Sequence, residues 1–154
     1  MNDITSYMLE QTKKILSIDS PTGFTAHAAE YVLGAYKKLG YDAKLTNKGG
    51  IFVCVNDGPD QADDPADAPI LLEAHMDTLG GMVCSINEKG RLMLSALGGM
   101  NPNNAEAENC RIYTRSGKVY SGTFQLKNAS IHVNGSYNDT ARSYDAMESY
   151  WTSP

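Results

Sequence analysis

The sequence predicts an α/β chain whose first part is a layer of helices and strands, followed by a small inserted β-barrel. Three observations carry this. Apolar residues recur at helical spacing through the first forty positions, short apolar runs follow from Tyr41, and after Gly80 strand-like segments alternate with tight turns.

The first helix is expected from Ile4, Met8, Ile15 and Leu16, which fall near one face, with Asn2 or Asp3 able to cap it. SPTG, Ser20 to Gly23, breaks that pattern. A second helix is expected from Thr25 as N-cap, through Ala28, Val32, Ala35 and Leu39, stopping at Gly40. Both apolar stripes are read as core-facing.

YDAKLT, IFVCV after the turn NKGG, and PILLEAH after a polar loop read as strands. The loop Asn56 to Pro69 contains five Asp and three Pro and is read as a solvated connection. Beyond Gly80, MVCSI, RLMLSAL, CRIYT, VYSGTFQ and ASIHV alternate with turns such as NEKG and RSGK, an all-β pattern with hairpin spacing. The expected division is residues 1–80 for the α/β part, 81–148 for the barrel, and 149–154 for an atypical tail reading SYWTSP.

With 13 Lys and Arg against 18 Asp and Glu, and a pI near 5.1, the chain offers no basic stripe for nucleic acid or an anionic membrane. It has no apolar run of about 18 to 20 residues and no secretory signal pattern, so a soluble, cytoplasmic protein is expected. Cys54, Cys84 and Cys110 are odd in number, far apart and set among apolar neighbours, which suits reduced core thiols.

The chemistry-bearing candidate is ILLEAHMDTLGG. On extended backbone His75 and Asp77 share one side, at the C-terminal end of an apolar segment, where open α/β sheets place ligands. An imidazole ligates metal, and a carboxylate on its other N–H fixes its tautomer. Alone, the motif is weak, since a His beside an Asp more often makes an ordinary hydrogen bond or caps a loop. Glu73 shares the side of His75 but belongs to the strand, and His27 and His132 are read as structural.

Several segments resemble the dinuclear metallo-aminopeptidases that include glutamyl and deblocking aminopeptidases, also called cellulase M. SPTGFT resembles that family's loop between its first two helices, AHMDTLGGMV its first metal-ligand strand, and GRLMLSALGG the hairpin entering its barrel. AEAENCRIYTRSGKVYSGTF and ASIHVNGSYNDTARSYDAMES resemble later parts of the barrel. The resemblance implies that His75 is a metal ligand and that Asp77 is the carboxylate holding it, its contribution to catalysis.

It further implies removal of N-terminal residues from short peptides, a pair of divalent ions (zinc or cobalt) in the complete enzyme, and homo-oligomers assembled through the barrel. The family's remaining ligands and its general base lie beyond the barrel. The chain contains no adjacent Glu-Glu pair, so the expectation is an N-terminal portion, inactive alone, that holds at most one ion weakly. Thr78 stands where many members carry a glutamate, which leaves substrate preference open.

The alternative is a stand-alone barrel that joins partners without catalysis. A hydrolase using His75 and Asp77 with a serine or cysteine lacks a nucleophile elbow. Glycoside hydrolysis lacks a facing carboxylate pair and an aromatic groove.

Overall fold

The structure, a computed structural model, describes residues 3–55 and 70–152. The candidate cap Asn2, the acidic loop 56–69 and the last two positions lie outside the described residues. The chain divides into two compact units between Thr78 and Leu79.

In the first unit, α1 spans Asp3–Leu16, with Asp3 in its first turn and Lys13 and Lys14 in its last, the signs that complement a helix dipole. Lys14 pairs with Glu10 one turn back. Helix α2, Ala26–Lys38, buries Ala28 and Ala29, and the Tyr31 hydroxyl donates to Gln11 Oε1 of α1 at 2.6 Å. Gly40 takes the left-handed φ of +91° that ends a helix. Thr25 occupies the N-cap but makes no side-chain cap bond; its carbonyl accepts from Ala29 N at 2.9 Å. The apolar stripe of α1 is not core, since Ile4 is 68% and Leu16 72% exposed and no residue of the helix is buried.

Strands β1, Lys44–Leu45, and β2, Ile51–Phe52, form an antiparallel hairpin shorter than YDAKLT and IFVCV imply. Gly49 N donates to Thr46 O at 3.0 Å with Gly49 at φ +83°, and this tight turn sets the register. Of the expected strand PILLEAH, whose Pro69 lies outside the described residues, residues 70–75 form no strand. Residues 70–77 join no ladder, Ile70 and Leu72 are 87% and 89% exposed, and the pairing that follows is a single parallel bridge between Pro21 and Thr78. Apolar content makes a segment suited to a sheet, but a strand exists only where neighbouring backbone takes up its N–H and C=O groups.

The second unit is one antiparallel sheet of β3 (Gly80–Ile86), β4 (Leu92–Leu97), β5 (Asn109–Tyr113), β6 (Val119–Leu126) and β7 (Met147–Thr152), in the order β3-β4-β7-β6-β5. The turns at Asn87–Gly90 and Thr114–Gly117 repeat the first hairpin's device, a glycine with positive φ whose N–H returns to the carbonyl three residues earlier. Cys84 sits at a register shift in β3. The short helix α3, Pro102–Ala105, is capped by Asn101, whose Oδ1 accepts from Asn103 N at 3.0 Å.

The core lies on one face, where Phe124, Leu126 and Met147 are buried against Leu94, Ala105, Ala129, Tyr137, Tyr144 and Ala146. Much of that cover comes from residues 127–146, which are turns. ASIHV is therefore not a strand: Ile131 and Val133 are exposed, and Asn134 N returns to Ser130 O at 2.8 Å. Both sides of β6 are already occupied, by β5 and β7, so ASIHV has no edge of β6 to join. Arg142 anchors the turns, donating to Glu106 at 2.8 Å and to the carbonyls of Tyr137 and Thr140 at 2.9 and 2.8 Å.

Residues 149–152, set apart in the sequence as an atypical tail, complete the middle strand. Ser149 is buried and faces both Leu92 and Phe124. The three thiols form no disulfide, but their burial differs from the core positions expected: Cys54 and Cys84 are exposed, and Cys110 is half-buried with Sγ 3.6 Å from Ser149 Oγ. A thiol in an alternating strand is core only if its parity matches the buried face.

Candidate functional site

The candidate pair lies at the end of the unpaired segment 70–77, held by a loop from far earlier in the chain. Pro21 bridges Thr78, and Thr78 N donates to Ser20 O at 2.7 Å. Phe24 N closes the turn onto Pro21 O at 2.7 Å with Gly23 at φ +85°, a conformation that favours glycine at the third position. This turn leads directly into α2.

On that frame His75 and Asp77 converge. His75 Nδ1 lies 3.0 Å from the Asp77 carbonyl oxygen and 3.2 Å from Asp77 Oδ1. Both oxygens only accept, so in the neutral ring this geometry favours the proton on Nδ1 and leaves the lone pair on Nε2. The imidazole is 86% exposed, which leaves that lone pair open to a ligand. The Thr22 hydroxyl donates to Asp77 Oδ2 at 2.7 Å, and this hydrogen bond above all holds the Asp77 carboxyl below the usual carboxylate range.

The two residues singled out in the sequence thus come together. Glu73 is exposed, His27 packs edge-on against Phe24 with ring centroids 5.8 Å apart, and His132 is exposed in the turns after β6. Among the described residues no group of three or more His, Cys, Asp or Glu is placed to hold a metal ion. Thr22 is the participant that sequence reasoning missed. SPTG was legible as a loop, but nothing local to it points to a carboxylate 55 positions later.

The M42 glutamyl aminopeptidase family matches residues 50–150, and the chain belongs to that family. It is 35% identical over 140 residues to YhfE of Bacillus subtilis (strain 168), named for an inferred aminopeptidase activity, covering 91% of this chain and 39% of that protein. It is 32% identical over 112 residues to the glutamyl aminopeptidase of Lactococcus lactis subsp. cremoris (strain MG1363), covering 72% of this chain and 30% of the relative. The chain thus spans well under half the length of the curated relatives it matches.

The fold is the α/β fold seen in TET aminopeptidases. The chain superposes on the TET aminopeptidase of a marine sediment archaeon, Thaumarchaeota archaeon SCGC AB-539-E09, with TM-score 0.76 at 17% identity, over 96% of this chain and 38% of that one. It matches a dodecamer named PhTET1-12s with TM-score 0.73 at 20% identity, over 93% and 39% of the two chains.

The M42 family is generally metal-dependent. His75 with Asp77 has the chemistry of one ligand and its orienting carboxylate, and fits one corner of such a centre. The described residues do not supply the rest.

Proposed function

We propose that this chain supplies the His75 and Asp77 corner of a metal-dependent aminopeptidase that removes N-terminal residues from short peptides, and that the chain is inactive alone. The observation that carries the reading is His75 Nδ1 anchored on Asp77 beside an exposed ring, in a chain of the M42 family. His75 Nε2 would hold one ion, zinc or cobalt, and Asp77 would hold the tautomer that makes this possible. A divalent ion, when bound, supplies Lewis acidity toward a peptide carbonyl. A complete centre takes two ions; this chain holds at most one, weakly.

We further infer that the α/β part covers residues 1–80 and that residues 81–148, whose sheet continues through Thr152, correspond to the family's inserted barrel, the route to homo-oligomers. A dodecameric structural neighbour supports the oligomer, and the sheet after Thr78 is the element available for it. A cytoplasmic location fits the acidic composition and the absence, among the described residues, of a helix long and apolar enough to cross a membrane. The second reading is an assembly protein without catalysis. The separateness of the unit after Thr78 favours it, and a stable oligomer formed without metal would distinguish it.

Zinc calorimetry on the purified chain and on His75→Ala, with leucyl and glutamyl anilide hydrolysis in the same samples, tests the proposal. Weak binding lost in His75→Ala, without turnover, is expected. Binding unchanged by the substitution, or turnover by this chain, would overturn it.

A further inference from the structure

We propose that Thr22 is a positioning residue for the His75 and Asp77 pair, and that the loop Ser20 to Gly23 exists in this fold to deliver its hydroxyl. The inference deepens the proposed function and rests on it for its consequence in metal binding. Its geometric content stands by itself.

The terminal torsion of an aspartate is broad, so a carboxylate 40% exposed does not select one rotamer unaided. Thr22 occupies Oδ2 at 2.7 Å, and the carboxylate plane so defined leaves Oδ1 at 3.2 Å from His75 Nδ1. The donor is itself fixed. Ser20 is 1% exposed, its carbonyl binds the N–H of the residue following Asp77, and Pro21 bridges that same residue. Loop and carboxylate are therefore tied at adjacent positions, which holds the Thr22 backbone beside Asp77. With Nδ1–H held on Asp77, the ring presents Nε2 as a neutral donor atom. Loss of such an orienting partner lowers metal affinity by about 10- to 100-fold in comparable sites.

The test uses the full chain without metal, with nitrogen-15 in its histidines, at a pH where the ring is neutral. Nitrogen shifts report which nitrogen of His75 is protonated. The Nδ1–H form is expected to dominate in the unsubstituted chain. Thr22→Val, which keeps the shape and removes the donor, is expected to move the population toward Nε2–H, and Thr22→Ser is expected to restore it.

In parallel zinc titrations Thr22→Val is expected to bind about 10-fold more weakly, with Thr22→Ser close to the unsubstituted chain. Dominance of Nε2–H in the unsubstituted chain overturns the inference even if Thr22→Val does not fold. So does a folded Thr22→Val with an unchanged tautomer. Zinc binding insensitive to His75→Ala would sink the metal reading instead, and the tautomer populations would still decide the role of Thr22.

Discussion

Gly122 of β6 lies directly against the backbone of Tyr150 in β7: a Cβ at position 122 would stand 2.5 Å from the Tyr150 carbonyl oxygen and 2.7 Å from Ile112 Cδ1. The contact falls between two paired strands in the middle of the sheet, where neither backbone can move without breaking its ladder. Gly122→Ala is therefore expected to destabilise the second unit by about 1–3 kcal/mol, an overpacking cost. Urea unfolding followed by circular dichroism measures this, and an unchanged midpoint would show that the strands separate freely at this point.

Leu126 is 1% exposed and packs in the cluster with Phe124 and Met147. Leu126→Ala should cost about 2–5 kcal/mol through lost burial and the cavity left behind. Met82 of β3 is 56% exposed, so Met82→Ala should stay within about 0.5 kcal/mol. Equal effects of the two in denaturant titrations would contradict the one-sided core.

Removing residues 149–154 deletes most of the strand that joins β4 to β6. The shortened chain is expected to lose protection at the Ser121 and Thr123 amides, which lie opposite Thr152 and Tyr150, and to lose β-sheet signal. Retention of both would mean that Ser149 to Thr152 are dispensable to the sheet.

Arg142 joins Glu106 to the carbonyls of Tyr137 and Thr140 and stacks over the Tyr137 ring at 4.7 Å. Arg142→Met keeps the stem and removes these bonds. Faster hydrogen exchange at Tyr137 and Thr140, with the β5 and β6 amides still slow, is the expected outcome. Uniform loosening of the whole sheet would instead make Arg142 a determinant of the sheet itself.

Local order was legible in the amino-acid sequence because its causes are local. Helical spacing marked α1 and α2, Gly40 and the turn glycines at 49, 90 and 117 have positive φ as their contexts implied, and four of the five strand-like segments after Gly80 became strands. The adjacency of His75 and Asp77 was legible for the same reason, being a matter of two residues on extended backbone.

What folding in three dimensions settled was pairing over distance. Period-two patterning scores a segment's fitness for a sheet but not the presence of a free edge beside it. So ASIHV, beside a β6 already paired on both sides, joins no ladder, nor do residues 70–77, while Ser149–Thr152, polar and unpromising by pattern, complete the central strand between β4 and β6. Thr22 follows the same logic. Its role depends on Pro21 and Ser20 meeting Thr78, a contact made by backbone atoms that every residue carries alike, so no side-chain pattern in the loop announces it.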